Sequence, residues 1–177
     1  MGQFRAVAFS AFTLTIRRQM LNLNPHQEYL LQPTDGGGFV LSHRGLRCAF
    51  SAPASTKGIA KLYTVSHEAS LLYVGITQQR MATRLKNGFR AEGRNGYHGY
   101  KWKSLRHEMR LDVWTAQVLV GNATLRDLET VEAEVAFHCR QQSGHWPKFQ
   151  HEIHFYPSSE HHRAAAKRVY EHSVRAG

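Results

Sequence analysis

The most distinct pattern in the chain is a pair of short apolar runs separated by a polar break. Residues 62–65 and 71–76 are rich in Tyr, Val and Leu, whereas residues 66–70 are mostly polar. Such a pattern predicts a β-hairpin. Because side chains alternate between the two faces of a strand, this hairpin can carry Tyr63 and Tyr73 on the same face of the sheet.

The residues after the hairpin repeat with the period of an α-helix. Met81, Leu85 and Phe89 follow one another at intervals of four and form an apolar stripe. Thr77 is the expected N-cap of this helix. Arg84 borders the apolar stripe, so we expect its guanidinium group to face the sheet instead of solvent.

Two further elements are predicted before residue 120. Residues 97–109 are expected to form a helix that buries Trp102, Leu105 and Met109. Residues 111–120 are β-prone and are expected to join the hairpin as a third strand. The predicted fold is therefore α/β (α+β), with a small three-stranded antiparallel sheet flanked by helices.

One acidic residue interrupts the apolar face of the next helix, which is predicted over residues 124–142. Four residues at spacings of three, seven and four define this face: Leu125, Leu128, Val135 and Cys139. Glu132 occupies its remaining position. An ionised carboxylate on a buried stripe is costly without a partner, so Glu132 requires an arginine, such as Arg84, or a metal ion.

The segments on either side of these elements are predicted to be appendages of the main domain, which spans residues 58–156. Residues 1–57 are expected to form an N-terminal β-rich extension that packs on this domain. Within the extension, residues 4–16 predict either a strand or the start of a helix, and residues 39–50 predict a second hairpin. Residues 157–177 are expected to form a C-terminal helix.

The chain is strongly basic, because its 177 residues carry a formal net charge of +10. A basic balance of this size favours a polyanionic partner, most simply nucleic acid, over a basic surface that is only solvated. Basic residues interleaved with aromatic residues suit a phosphate backbone and the faces of bases. The predicted nucleic-acid-binding residues are Arg80, Lys86, Arg94, Lys101 and Lys103.

Cysteine usage and hydropathy indicate the cellular compartment in which the protein is expected. Cys48 and Cys139 are far apart and form no CxxC pair, which argues against a disulfide framework and fits a reducing compartment. The sequence contains no run of 18 apolar residues and no clean signal-peptide pattern. We therefore expect a cytoplasmic protein without a membrane partner.

Several potential metal ligands lie close together in the sequence: His138, Cys139, His145, His151 and His154. His151 and His154, three apart on a predicted strand, would point to opposite faces of the sheet. His138 and Cys139 are adjacent on a helix and also diverge. Because these spacings do not match those of zinc-binding pairs, no zinc site is predicted here.

The hairpin and the helix that follows it resemble the signature of the GIY-YIG nuclease superfamily. The residues that carry the resemblance are Leu62-Tyr63, Tyr73-Val74-Gly75 and Arg84, nine residues later. The resemblance covers residues 58–155. The chain departs from the family motif at Lys61, where the family has glycine.

Two later segments extend the resemblance. Residues 131–136 match the helical context in which the family carries its catalytic glutamate, which is Glu132 in this sequence. Residues 146–150 loosely resemble the closing Pro-x-Tyr-Asn segment of the family, with Phe149 and Gln150 at its last two positions.

The resemblance implies a divalent-metal-dependent endonuclease that hydrolyses phosphodiester bonds in DNA. In this mechanism Glu132 anchors Mg²⁺, or Mn²⁺ in its place, because a hard cation prefers oxygen ligands. Arg84 holds the scissile phosphate. Tyr63 orients or deprotonates the attacking water, and Tyr73 hydrogen-bonds to the water or the phosphate. His98 assists Tyr63 or transfers protons.

The expected partner is double-stranded DNA, and the expected setting is a restriction-type, phage or mobile-element nuclease. A non-catalytic nucleic-acid-binding module on the same scaffold is one alternative, because Lys61, Phe149 and Gln150 depart from the family pattern. An unrelated basic α/β domain that binds RNA or protein is another.

Overall fold

The structure, a computed structural model, describes residues 21–94, 98–118 and 125–175. These residues form a mixed α+β fold in which an antiparallel sheet carries helices on both faces. The strands are β1 (Leu21–Thr34), β2 (Gly38–His43), β3 (Leu46–Arg47), β4 (Lys61–His67), β5 (Ser70–Thr77) and β6 (Met109–Val118). The helices are α1 (Met81–Arg90), α2 (Leu125–Ser143) and α3 (Glu160–Ser173). The strand order is β3-β2-β1-β6-β4-β5.

The β4–β5 hairpin confirms the prediction made from the two apolar runs at residues 62–65 and 71–76. In its register Tyr63 lies opposite Gly75, and Val65 lies opposite Tyr73. The rings of Tyr63 and Tyr73 lie side by side, with centroids 6.0 Å apart. A Cβ atom on Gly75 would come within 2.7 Å of both rings, so only glycine leaves room for the two phenols.

The sheet is larger than the predicted three strands. β6 pairs with β4 as expected, but its other edge pairs with β1 from Leu21 to Leu31. β1 in turn pairs with β2, and β2 pairs with β3, so the described strands form one six-stranded sheet. The prediction of a three-stranded sheet is therefore wrong, whereas the mixed α/β class is confirmed.

β1 was not predicted because the segment at residues 24–28, Asn-Pro-His-Gln-Glu, separates its apolar positions. Leu21 and Leu23 pack toward α2 and α3, whereas Tyr29 and Leu31 belong to the core on the α1 side. The ladder with β6 shifts register between Leu23 and His26. A bulge adds one residue to one strand and moves the following side chains to the opposite face. The buried residues of β1 therefore keep one alternation along the sequence but face opposite sides of the sheet before and after the bulge.

Each face of the sheet buries its own core. On the α1 side, the buried residues include Tyr63, Val65, Met81, Leu85, Phe89, Trp102 and Leu111. On the side of α2 and α3, they include Leu62, Val74, Trp114, Leu128, Val131, Val135 and Val169. The alternation of side chains along β4 supplies both cores, because successive residues face opposite helices.

The helix predicted over residues 97–109 is wrong for the part that the structure describes. Residues 98–108 contain only a short 3₁₀ turn, Lys101–Ser104, before β6 begins. The backbone N–H of Tyr100 donates to the carbonyl of Gly88 at 3.2 Å. This long-range bond holds the segment against α1, and no pattern of neighbouring residues encodes it.

The start of α1 and the buried face of α2 also differ from the prediction. Arg80, not Thr77, occupies the N-cap position of α1, and the Thr77 hydroxyl accepts the Gln79 N–H at 3.0 Å in the turn before the helix. Leu125 is 38% exposed, so the buried face of α2 begins at Leu128.

The terminal segments agree with the predictions where they are described. β2 and β3 form the second hairpin, whose turn residues Arg44 and Gly45 both have positive φ angles. α3 confirms the C-terminal helix and packs against α2. The element predicted over residues 4–16 lies outside the described residues, and the division of the chain after residue 57 stays a prediction. Every helix in the described ranges is too short or too polar to span a bilayer.

Candidate active site

A surface pocket beside the edge strand β5 collects most of the predicted catalytic side chains. Its volume is about 530 Å³. Four of the five predicted catalytic residues line it: Tyr73, Arg84, His98 and Glu132. Tyr100 and Glu129, which are not among the predicted site residues, line the same pocket. Side chains from β5, α1, α2 and the segment before β6 therefore meet at one place.

Tyr63 lies behind the wall of this pocket, because its side chain is fully buried. Its hydroxyl lies 2.8 Å from the Tyr100 hydroxyl and accepts a hydrogen bond from Arg84 Nε at 3.2 Å. Burial, reinforced by Tyr100, holds the pKa of Tyr63 well above its ordinary value of 10.0. Tyr63 is thus a neutral phenol that positions Arg84 and Tyr100.

Arg84 is held at the junction of α1 and the pocket. Its Nε is bonded to Tyr63, and its guanidinium carbon lies 5.7 Å from the centroid of the Tyr100 ring. The side chain therefore points back toward the sheet, as the apolar stripe of α1 predicted. A guanidinium group fixed in this way presents a planar set of donors that matches the oxygens of a phosphate.

The pKa values of Glu132 and Tyr73 show that both groups interact electrostatically with Arg84 in the pocket. Burial is the main cause that raises the pKa of Glu132 from 4.5 to about 8, while Arg84 lowers it and Glu129 raises it further. Burial also raises the pKa of Tyr73, with a smaller contribution in the same direction from Glu132 and an opposite one from Arg84. The carboxyl, phenol and guanidinium groups are therefore close neighbours.

The acidic part of the pocket fits a hard divalent cation. Glu129 and Glu132 lie one helical turn apart on α2, and both line the pocket. Mg²⁺ prefers oxygen ligands, keeps several waters and is commonly held by one or two carboxylates. Gln150 also lines the pocket, but its Oε1 accepts the N–H of Val74 at 3.2 Å. Gln150 therefore holds the closing segment on β5.

The predicted nucleic-acid-binding residues lie at different distances from this pocket. Lys101 lines the pocket itself, and Arg94 lines a neighbouring pocket that also contains Arg84. Arg80 and Lys86 are exposed at the start and on the outer surface of α1. A basic border of Arg94 and Lys101 thus flanks the pocket, whereas Lys86 lies on the other side of α1, in a separate pocket with β2.

Lys103 has a different environment from the other predicted contacts. Its ammonium group donates to the carbonyls of Phe89 at 3.2 Å and Ala91 at 2.6 Å. These carbonyls lie at the C-terminal end of α1, where a cation is favoured. Lys103 therefore caps the C-terminal end of α1.

Lys61, which replaces the glycine of the family motif, is buried beneath the loop before α1. Its ammonium group donates to the carbonyls of Ile59 at 2.7 Å and Gln79 at 3.0 Å. Burial lowers the pKa of Lys61 from 10.5 to about 8. A neutral amine still has two N–H donors, so both hydrogen bonds survive loss of the proton.

Replacement of Lys61 by methionine is expected to flatten the dependence of stability on pH between about pH 8 and pH 10.5. Folded Lys61 loses its proton at a lower pH than unfolded Lys61, so the unfolded chain binds more protons in this window. The free energy of unfolding of the wild type should therefore rise with pH across the window. Urea unfolding at several pH values measures this slope.

The matched control for this experiment is Lys57→Met, which removes an exposed lysine. The control is expected to retain the slope of the wild type. Equal slopes for Lys61→Met and the wild type would contradict the lowered pKa of Lys61.

The chain was compared with protein-family models, curated proteins and solved structures, and none of them matches it. The resemblance to the GIY-YIG superfamily therefore depends on the motifs in the hairpin, α1, α2 and the segment at residues 146–150. Family membership stays a prediction.

Proposed function

We propose that the chain is a divalent-metal-dependent endonuclease that hydrolyses phosphodiester bonds in DNA. The observation that supports this proposal most strongly is the meeting of Tyr73, Arg84 and Glu132 in one solvent-accessible pocket. Phosphodiester hydrolysis requires an oriented water, stabilisation of negative charge on the phosphoryl group and support of the leaving oxygen. The pocket offers side chains for each of these tasks.

Arg84 binds the scissile phosphate in the proposed reaction. The hydrogen bond from its Nε to Tyr63 fixes the plane of the guanidinium group before DNA arrives. A preorganised donor needs no rearrangement as negative charge develops, which is the main source of electrostatic catalysis. Tyr63 is accordingly a positioning residue, because its buried hydroxyl does not line the pocket.

Tyr73 and His98 are the groups that contact the attacking water or the phosphate. Tyr73 is half-buried on the edge strand with its ring in the pocket, and His98 is exposed at the rim. The raised pKa of Tyr73 keeps its phenol protonated, so Tyr73 orients the water through hydrogen bonds. His98 then accepts or delivers a proton in the proposed reaction.

Glu132, with Glu129 beside it, would hold Mg²⁺, or Mn²⁺ in its place. A bound divalent ion supplies Lewis-acid stabilisation of charge on the phosphoryl group. Lys101 and Arg94 would contact the phosphates that flank the cleaved bond. Double-stranded DNA and a restriction-type, phage or mobile-element role are the substrate and setting that we propose.

A non-catalytic nucleic-acid-binding module is the second candidate function. One specific observation favours it, since Tyr63 is sealed from solvent and cannot contact a water in the pocket. Both candidates use the same basic border and predict salt-sensitive DNA binding. Cleavage of DNA separates them.

Cleavage of supercoiled plasmid by the purified full chain, with Mg²⁺ or with EDTA, tests the proposal. We expect nicking with Mg²⁺ and none with EDTA. Replacement of Arg84 by lysine should lower the rate by about 100-fold or more, because lysine lacks the planar donors and loses the bond to Tyr63. The rate is measured under single-turnover conditions.

Arg168→Lys is the control, because Arg168 is exposed on α3 and lines neither the candidate active site nor the neighbouring pocket that contains Arg84. It should cleave at close to the wild-type rate. DNA binding by the wild type without cleavage in Mg²⁺ or Mn²⁺ would support the second candidate instead. Equal rates for Arg84→Lys and the wild type would remove Arg84 from the mechanism.

A further inference from the structure

A second group of potential metal ligands lies on the side of the sheet that α3 covers. Its members are His26 and Glu28 on β1, Asp112 on β6 and His172 on α3. One ligand atom from each of the four residues lies within 4.8 Å of all the others. These four residues, which we call the β1–β6–α3 cluster, share no member with the candidate active site.

Asp112 is the centre of the β1–β6–α3 cluster. Its side chain is 0% exposed. Its Oδ1 lies 2.9 Å from His26 Nε2 and 3.1 Å from His172 Nε2, while its Oδ2 accepts a hydrogen bond from Arg110 Nε at 3.0 Å. Two imidazoles thus converge on one oxygen, and a guanidinium group holds the other. An outer partner that orients a ligating carboxylate is typical of metal sites.

The Nε2 atom of His172 has two contacts that make opposite demands on it. Arg175 Nη2 lies 3.1 Å from His172 Nε2 and can only donate, so this contact requires a lone pair on the nitrogen. Asp112 Oδ1 lies at the same distance and accepts when ionised, so that contact requires a proton. One nitrogen cannot meet both demands. A cation between His172 and Asp112 accepts lone pairs from both atoms.

The spacing of the ligand atoms is close to that around a tetrahedral ion. Bonds of about 2.0 to 2.2 Å to nitrogen and oxygen place ligand atoms about 3.3 to 3.6 Å apart around a tetrahedral ion. His26 and His172 lie 2.9 and 3.1 Å from Asp112, and His172 lies 3.7 Å from Glu28. Small side-chain rotations are therefore enough to surround an ion.

The ligand types select the class of metal. Mg²⁺ and Ca²⁺ favour sites made of oxygen, whereas two imidazole nitrogens with two carboxylates suit Zn²⁺. Four protein ligands complete a tetrahedron, as in structural zinc sites. A surface pocket of about 310 Å³, lined by His26, Trp114 and His172, connects the cluster to solvent. Arg175, 56% exposed, can move aside as an ion enters.

We propose that His26, Glu28, Asp112 and His172 bind one Zn²⁺ ion that fastens the C-terminal end of α3 to β1 and β6. The site joins segments that are far apart in the chain, and the ion stabilises the folded state because the unfolded chain does not bring its ligands together. The site is separate from the proposed nuclease chemistry and does not depend on it.

The test titrates Zn²⁺ into the EDTA-treated, re-purified full chain without DNA, with Mg²⁺ as a second titrant and Co²⁺ as a spectroscopic probe. We expect one equivalent of Zn²⁺ to bind, the unfolding midpoint to rise, and Co²⁺ to give the visible absorption of a tetrahedral site. His172→Gln should weaken Zn²⁺ binding by more than about 100-fold, since even outer-shell partners contribute 10- to 100-fold.

His161→Gln is the matched control, because His161 lies on the same helix outside the cluster. It should bind Zn²⁺ as the wild type does, and so should the nuclease variant Glu132→Gln. Glu28→Gln, at a partly exposed position, provides a second test if His172→Gln fails to fold, and it should also weaken binding by at least about tenfold. Absence of one-equivalent binding, or equal affinity in the cluster variants and the wild type, overturns the proposal.

Discussion

Replacement of Glu132 by glutamine is expected to abolish Mg²⁺-dependent cleavage of plasmid DNA while DNA binding is retained. Glutamine preserves the size of the side chain but removes the negative charge that would hold the cation near Arg84. We expect the single-turnover rate to fall by about 1,000-fold or more, at the upper end of losses from removing one electrostatic group. Plasmid nicking with Mg²⁺ measures the rate, and fluorescence anisotropy with EDTA measures binding.

The matched control is Glu134→Gln on the same helix. Glu134 is partly buried and does not line the pocket, so its replacement makes the same chemical change on α2 away from the site. Any general effect of this substitution on the stability of α2 should appear in both variants. Cleavage by Glu132→Gln at the rate of Glu134→Gln would show that Glu132 does not hold the metal.

Replacement of Gly88 by alanine is expected to destabilise the protein and to lower cleavage, although alanine is the better helix former. A Cβ atom on Gly88 would lie 2.1 Å from an atom of the Tyr100 ring. This ring is stacked on the Trp102 ring, with centroids 4.6 Å apart, and has little room to move. Overpacking and loss of the Tyr63–Tyr100 bond outweigh the gain of about 1 kcal/mol in helix propensity. We expect a net loss of about 2 kcal/mol.

Urea unfolding measures this loss, with Asn87→Ala as the control in the same helix. Asn87 is exposed, so its replacement should change the free energy of unfolding by less than about 0.5 kcal/mol. Gly88→Ala should also cleave DNA more slowly, because a displaced Tyr100 no longer fixes Tyr63 beside Arg84. A stability gain in Gly88→Ala would contradict the close packing of Tyr100 on α1.

Much of the candidate site could be predicted because its parts lie on regular elements. The alternation of a hairpin places Tyr63 and Tyr73 on one face, and the period of a helix places Arg84 toward the sheet. The same reasoning identified Glu132 on a largely apolar face of α2. Each of these inferences uses only residues within one element or across one tight turn.

The partners of these residues could not be predicted in the same way. Tyr100 reaches Tyr63 only because the segment before β6 folds back onto α1, where Gly99 and Gly88 allow close contact of the backbones. Tyr100 covers the hydroxyl of Tyr63. In the proposed mechanism this hydroxyl therefore positions Arg84 and does not contact the attacking water. The β1–β6–α3 cluster was missed for the same reason, since its four members come from three elements separated widely in sequence.

The sequence by itself determined the hairpin with its two phenols, the helix that carries Arg84, the acidic residue on α2 and the basic charge of the whole chain. Only the tertiary structure decided that β1 extends the sheet across β6, that Tyr63 is enclosed by Tyr100, and that two histidines and two carboxylates meet beside α3. The physical reason is that spacing along a strand or helix fixes which side chains share a face. Contacts between distant segments depend instead on how the whole chain packs.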